Sequence, residues 1–473
     1  MSKRQKKKER ELNYRLLITI IILLSVIIRL FYWSYDTIWW DPAVYIEMGK
    51  YLYSAGNSGL WETSRPLMLP AILGFFWKIG INPYTAGRAM DIIYSAGLTL
   101  FTFLIAKEIF SKKTAAISAL FIAFTPTIFN QSLYAATEIP ATLFSIISIY
   151  LLIKKRYLFA GMLSGLAFMT RFLQLFSFIA ILIFLSIKLA KEPKKKEQIK
   201  NAAILVTGFA IPVLPYIIFN IIAYHNPIHT FLQQVYMTSN TGQPWHLPLS
   251  FYTINILKEN YLTPLILLSF VHYKKAKPKE KGIILTAFAI FSIFYSTISQ
   301  KEMRFLISLM PFMYMLLSLG LLYITDKIKN SRVRKTIISI LLIAFIIISI
   351  PQYGKSRLDD RYTPYWQYMA KKDVTGIIWI TNPVFAVNTN KKAEPIYYDV
   401  FRIQKIKELQ QKLSDEKQKP DHILLDSCDI DCSEQEKECP EMLQQFIEDL
   451  KTDYHTEYEQ KAWICERYIL SKE

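Results

Sequence analysis

The chain has 473 residues, 52% of them apolar, and a formal net charge of +18. An ordinary soluble domain does not combine so much apolar content with so much charge, whereas a polytopic membrane protein with basic cytoplasmic loops does. Lys and Arg gather in short clusters between apolar runs rather than along one face, which argues against nucleic acid as the partner of that charge.

The first apolar run, Leu16 to Tyr32, is long enough to span a bilayer and follows the basic stretch Lys3 to Lys8. It has no small-residue cleavage site, so it reads as a first spanning helix with the N-terminus on the cytoplasmic side. The chain is then expected to stay outside to Pro83. Pro42 to Ala55 carries apolar residues at helical spacing with Glu47 and Lys50 between them, and predicts an amphipathic interfacial helix closed by Gly56. Leu67 to Ile79 is apolar but short and contains Pro70, which predicts a second interfacial or re-entrant helix.

Run length then gives about eleven spans in all. The second is Tyr84 to Ala106, the third ends near Asn130, the fourth starts at Ile139, and the fifth emerges at Arg171. The sixth enters towards Lys188 and Lys194, the seventh emerges near His225, and the eighth returns to Lys274 and Lys275. The ninth emerges at Ser299 to Glu302, the tenth enters at Asp326, and the eleventh, Thr336 to Ile350, leads outside. Fixing the first helix fixes all the rest, and the loops this places inside are the ones rich in Lys and Arg. The segment from His225 to Pro248 is expected to be a long polar outer loop that includes Trp245, with His225, His229 and His246 as loop residues lacking metal-ligand spacing.

The expected fold class is therefore a polytopic α-helical membrane protein, residues 1–352, followed by a small soluble α/β domain, residues 353–473, on the extracytoplasmic side. In that domain Gly376 to Ile380 and His422 to Asp426 read as short buried strands, and Phe401 to Lys412 and Glu441 to Lys451 as helices. All four cysteines lie there. Cys428, Cys432, Cys439 and Cys465 favour two disulfides on an oxidising face, with connectivity open, and their spacing fits no standard zinc motif.

Ionisable residues at membrane depth or at helix mouths are costly and point to function. The topology puts Asp41, Arg65, Lys78, Glu138, Arg171, Lys301, Glu302 and Arg304 on the outer side. Few carboxylates with several cations suit transfer from a lipid-linked phosphate. The phosphate leaves without a general acid, cations stabilise it, and one carboxylate activates the acceptor. Each residue also has a structural reading. Asp41 before Pro42 suits a helix N-cap, Glu138 suits the first turn of a span, and Trp39-Trp40 suits an interfacial aromatic belt. Lys301, Glu302 and Arg304 suit a mutually neutralised cluster.

Together these segments resemble a known group. Asp41-Pro42-Ala43-Val44-Tyr45, Gly49 to Leu52, and Arg65-Pro66-Leu67-Met68-Leu69-Pro70 with Gly74 and Gly80 look like the first outer loop of GT-C glycosyltransferases. Ala136-Thr137-Glu138-Ile139-Pro140 with Ala160 to Arg171, and Gln300-Lys301-Glu302-Met303-Arg304-Phe305 with Pro311, continue the match in order. The most similar subgroup holds protein O-mannosyltransferases and lipid A aminoarabinose transferases. The resemblance implies a polyprenyl- or dolichyl-phosphate-linked sugar as donor, with mannose one candidate, and an unidentified acceptor hydroxyl. It makes Asp41 the base; Glu138, among the ionisable residues on the same side, is a second catalytic candidate. Arg171, Lys301 and Arg304 become ligands of the donor phosphate, and Lys78 and Arg65 weaker candidates for the same role. No cofactor is required, although a divalent metal, Mg or Mn, is compatible with the carboxylates. Two departures stand out: Pro42 replaces the acidic residue that often follows the base, and Gln300 stands where the mannosyltransferase motif commonly has His. The rival class is a transporter or lipid flippase, which would show repeated halves and charges buried at mid-membrane.

Overall fold

The computed structural model describes the chain except for residues 1–2, 34–37, 192–194, 241–246, 274–278, 299, 355–359, 372–373, 375, 398–402, 431, 433–435, 463 and 473. The expected loop residues Trp245 and His246, the basic positions 194 and 274–277, and Ser299 thus lie outside the described residues. Contacts divide the chain into two compact units. The first comprises Met1–Tyr35, Arg88–Pro227 and Leu247–Ser356, and the second Asp36–Gly87, Ile228–His246 and Arg357–Glu473.

Apolar helices build the first unit, as the run lengths predict. Tyr14–Phe31, Pro83–Ile109, Phe172–Ala190, Lys195–Tyr224 and Ser331–Gln352 are long and apolar enough to cross a membrane, and Glu138–Ile153, Tyr157–Thr170, Gly282–Thr297 and Met310–Thr325 are shorter apolar helices. Two of the expected spans are broken. The third becomes Lys112–Phe124 and Pro126–Gln131, divided at Thr125 because Pro126 has no N–H to continue the ladder. The eighth becomes Ser250–Glu259 and Ile266–Tyr273, divided where Asn260 turns extended and its Oδ1 accepts from Leu262 N at 3.1 Å. The segment read as a long outer loop instead contains the helix His229–Asn240.

Glycine sets one close packing contact. A Cβ on Gly161 would lie 2.0 Å from the Leu205 carbonyl, and one on Gly208 would lie 2.2 Å from that of Leu158. The Tyr157–Thr170 helix therefore packs backbone to backbone against Lys195–Tyr224, the close approach that small residues permit in lipid. This crossing holds the end of the 157–170 helix, and with it Arg171. Arg29, buried inside the first span, donates from Nε to Ser132 Oγ at 2.6 Å, hydrogen-bonds Ser25, and sits 4.8 Å from the Phe129 ring. Its partners make it a staple between helices.

In the second unit, the Trp40–Tyr53 helix packs on Met68–Lys78. A Cβ on Gly74 would meet Gly49 O at 2.4 Å, and one on Gly49 would meet Pro70 O at 2.6 Å. Gly74→Val should therefore force the helices apart at a cost of about 3 kcal/mol, seen as a lower unfolding temperature of the full-length protein in nanodiscs.

The expected amphipathic character of the 40–53 helix is corrected by the structure, because every residue from Pro42 to Lys50 is buried. The would-be polar face neutralises itself: Lys50 Nζ lies 2.8 Å from Glu47 Oε1 and donates to the carbonyls of Val387 at 2.8 Å and Thr389 at 2.6 Å. Gly59 extends the join, accepting from Ala393 N at 3.0 Å and donating to Lys391 O at 2.9 Å.

Residues 357–473 carry the small α/β domain. Strands β1 (Ile378–Ile380), β2 (Glu394–Pro395), β3 (His422–Asp426), β4 (His455–Ala462) and β5 (Cys465–Ser471) order as β2-β1-β3-β5-β4. β1 runs parallel to β2 and β3, and β5 antiparallel to β3 and β4. The helices Ile403–Ser414 and Cys439–Asp453 fall where the sequence pattern predicts them and pack with Trp379, Ile423 and Leu425 into one core. Cys428 pairs with Cys465, and Cys432 with Cys439.

Asp429 lies beyond the end of β3 and accepts from Asn382 Nδ2 at 2.8 Å. Burial pushes its carboxyl up to about 7, aided by Asp426 and only partly offset by the Asn382 bond. The folded protein thus holds a proton that the unfolded chain, near 3.8, has released. This contribution to stability is full below about pH 4 and fades as pH rises through 7. Asp429→Asn keeps an acceptor for Asn382 and should raise the unfolding temperature by a few degrees at pH 8, with a smaller gain at pH 5.

Candidate active site

The candidate residues fall into two constellations, one in each unit. In the second unit, Asp41 stands in the first turn of the 40–53 helix, where the exposed N–H groups favour a carboxylate. It does not occupy the cap position expected for it. That position belongs to Trp39, and Asp41 Oδ1 instead lies 2.9 Å from Arg65 Nη2. Tyr45, one turn on, faces the same pair, with the Arg65 guanidinium 5.5 Å from its ring. Arg65 precedes Pro66, which keeps its backbone out of helix and directs the chain past Asp41. Arg65 Nε also lies 3.1 Å from Glu62 Oε2, and Glu62 Oε1 accepts from the Tyr397 hydroxyl at 2.8 Å. Trp40 packs edge-on against Tyr397, with ring centroids 4.5 Å apart.

Lys78 is not brought to this cluster. It is exposed in the last turn of the Met68–Lys78 helix, where a cation complements the carbonyl end.

In the first unit, Glu138 opens the Glu138–Ile153 helix, as expected, and is 2% exposed. Two guanidinium groups converge on its Oε1, Arg171 Nη1 at 2.8 Å and Arg304 Nη1 at 3.6 Å. Both arginines sit over the Phe305 ring, at 5.2 and 5.6 Å, so one aromatic face and one carboxylate hold two like charges together. Arg171 also donates to Thr137 Oγ1 at 3.1 Å. Arg304 grips Glu302 with two parallel bonds, Nε to Oε2 at 2.6 Å and Nη2 to Oε1 at 3.0 Å. Lys301, 5% exposed, donates to the Ile298 carbonyl.

Buried polar residues fix this second constellation. Arg171 ends its helix in extended backbone and leads into the turn Phe172–Gln174. Gln174 accepts from Ser145 Oγ at 2.8 Å and donates to Ser308 Oγ at 2.6 Å, tying the turn after Arg171 to the turn that carries Arg304. Asp91 Oδ2 accepts from Ala136 N at 2.9 Å, and Arg88 donates to the Leu133 carbonyl at 2.9 Å, so the Pro83–Ile109 helix braces the loop before Glu138.

Glu62, Tyr397, Gln174 and Asp91 were not singled out from the sequence. Glu62, three residues before Arg65, had a local signal available in its opposite charge. Tyr397 has none, because its partner lies 335 positions away.

As for metal, Asp426, Cys428 and Cys465 come close together, but the two cysteines are joined to each other and cannot ligate as thiolates. Asp41 and Glu138 both already engage guanidinium groups.

A pairwise guanidinium–carboxylate site over an aromatic ring is suited to a phosphate, and a carboxylate steadied by a single arginine is suited to a base. Comparison with known proteins bears on the family and the fold. Residues 64–219 match the family described as dolichyl-phosphate-mannose-protein mannosyltransferase, a stretch that includes Arg65, Lys78, Glu138 and Arg171. No curated protein sequence matches the chain at a significant level. Among solved structures, ArnT from Cupriavidus metallidurans bound to undecaprenyl phosphate superposes with a TM-score of 0.68 at 9% identity, covering 97% of this chain and 98% of that one. The Archaeoglobus fulgidus oligosaccharyltransferase tethered to an acceptor peptide gives 0.59 at 12% identity, covering 87% and 69%. The arabinofuranosyltransferase AftD from Mycobacteria gives 0.56 at 11%, covering 97% of this chain but 41% of its own. The chain thus has the polytopic fold of the GT-C glycosyltransferases, and residues 64–219 carry the signature of the dolichyl-phosphate-mannose-protein mannosyltransferases.

Proposed function

We propose that this protein transfers a sugar from a polyprenyl- or dolichyl-phosphate donor to an acceptor hydroxyl outside the membrane, with inversion at the anomeric carbon. The match of residues 64–219 carries this reading, and the donor class is supported by the fold shared with ArnT in its undecaprenyl phosphate complex. Asp41 takes the proton of the acceptor hydroxyl. The acceptor oxygen bonds to the anomeric carbon from the face opposite the phosphate, and the carbon–oxygen bond to the phosphate breaks. The electron pair leaves on polyprenyl phosphate, whose charge Arg171, Arg304 and Lys301 stabilise. Arg65 is a lesser phosphate candidate because two carboxylates already engage it, and Lys78 because it is exposed in the last turn of its helix. Glu138 then serves mainly to gather Arg171 and Arg304. Mannose is the first sugar to test, since the family description names it. In this reading the N-terminus is cytoplasmic and the unit containing residues 357–473 faces outside.

Full-length protein in nanodiscs, given labelled polyprenyl-phosphate mannose, aminoarabinose or arabinofuranose with a mixed envelope acceptor fraction, should pass label from one of them. Folded protein that turns over no donor would sink the proposal and favour a transporter of the lipid-linked sugar.

A further inference from the structure

Asp41 and Arg65 lie in the outer loop, yet their geometry depends on a residue from the far end of the sequence. Arg65 is shared: Nη2 contacts Asp41 Oδ1 at 2.9 Å, while Nε contacts Glu62 Oε2 at 3.1 Å. Glu62 is itself 3% exposed, and its other oxygen accepts from Tyr397 at 2.8 Å. The Tyr397 ring, 8% exposed, also packs against Trp40, the residue before Asp41. The five side chains form a chain of contacts, Asp41–Arg65–Glu62–Tyr397–Trp40, that closes through the backbone joining Trp40 to Asp41.

Such sharing has a chemical consequence. An arginine left to one carboxylate closes on it as a two-point fork, which stabilises the anion and weakens it as a base. With Glu62 engaging Nε, the Nε–Nη2 edge of Arg65 is divided between two carboxylates, Nη2 to Asp41 and Nε to Glu62. Tyr397 in turn holds Glu62 in place by occupying its other oxygen. The groups facing Asp41 and Glu62 in this cluster include Arg65, Tyr45 and Tyr397, with the Glu47–Lys50 pair further along the same helix.

We infer that Glu62 and Tyr397 are positioning residues that keep Arg65 from clasping Asp41, so that the C-terminal region is a working part of the base site. The inference rests on the reading of Asp41 as the base, and its tests separate the two. Tyr397→Phe removes the hydroxyl but keeps the ring on Trp40, and Glu62→Gln removes the competing charge. In full-length protein, each should lower kcat about fivefold to tenfold, the scale of one buried hydrogen bond, with KM for the donor nearly unchanged. Glu62→Gln should also move the acidic limb of the kcat–pH profile to lower pH, since Arg65 then stabilises the Asp41 anion more strongly, which a purely structural role would not do. In the Glu62→Gln background, Tyr397→Phe should cost less than about twofold further, because the link it supports is already cut.

A readout independent of activity completes the test. Hydrogen exchange followed by mass spectrometry should quicken at amides 38–45 in Tyr397→Phe relative to wild type. Unchanged exchange there overturns the inference whatever the protein catalyses. Additive effects on kcat with an unmoved pH limb would overturn it even if Asp41→Asn is inactive and the proposed function stands.

Discussion

Asp41→Asn should abolish sugar transfer while leaving the protein folded. Replacing a general base typically costs a factor of about 10² to 10⁴, and asparagine has no proton affinity at neutral pH. Its side-chain oxygen can still accept from Arg65 Nη2, now 2.9 Å from Asp41 Oδ1, so the loss of stability should be limited to about 1 kcal/mol. The side chains of Asp41 and Arg65 are 15% and 13% exposed, wet enough for an acceptor hydroxyl to approach and dry enough for the pair to hold its geometry. Initial rates with the labelled donor, read beside the unfolding temperature in the same nanodiscs, decide the matter. A stable, inactive variant supports the base. Transfer at the wild-type rate would leave Asp41 as the anchor of Arg65 and nothing more. Asp41→Glu adds a control, since it keeps a carboxylate but moves it by one methylene. It should fall between the other two, because a base displaced by about 1 Å already loses much of its effect.

The sequence carried a good deal of this, and the parts it did not carry share a cause. Apolar run length and basic clusters are local properties, so the helical membrane class, the first span and the small α/β domain were all legible. So was Glu138 at the head of its helix. The break at Thr125 was missed because it interrupts an apolar run without changing its composition, although Pro126 was a visible sign; at Asn260 the polar stretch Lys258-Glu259-Asn260 and Pro264 were visible signs that a count of run length passes over. The 40–53 helix was misread for a deeper reason. Glu47 and Lys50 look like a wet face until the pairing between them, and the carbonyls of Val387 and Thr389, are known. Likewise, Asp41 before Pro42 has every local mark of a cap, but an arginine more than twenty positions on gives its carboxylate a different partner. The segment around the 40–53 helix and the C-terminal region are joined through Lys50, Gly59 and Glu62, and none of these contacts leaves a trace in composition or periodicity.

Arg171→Leu is expected to have the other large effect, and it separates holding a phosphate from merely neutralising Glu138. Glu138 has a side chain 3% exposed, and its nearest cation is Arg171 Nη1 at 2.8 Å, with Arg304 at 3.6 Å. Deleting one partner of a buried pair strands the other charge, at a cost of about 3–5 kcal/mol. Arg304 is poorly placed to compensate because Glu302 already grips two nitrogens along one edge of its guanidinium. The single variant should therefore unfold at a clearly lower temperature and lose turnover. Arg171→Leu combined with Glu138→Leu removes both charges, and replacing a buried pair by apolar residues is often neutral or stabilising. The double variant should recover stability. If Arg171 stabilises the departing phosphate, turnover should stay depressed by about 10² to 10³, the usual loss for one donor aimed at developing charge. If turnover returned with stability, Arg171 would be only the counter-ion of Glu138, and the donor phosphate would have to be held by Arg304 and Lys301. Unfolding temperature and initial rate, measured on the single and double variants together, distinguish these outcomes because the two roles separate only when the stranded carboxylate is removed.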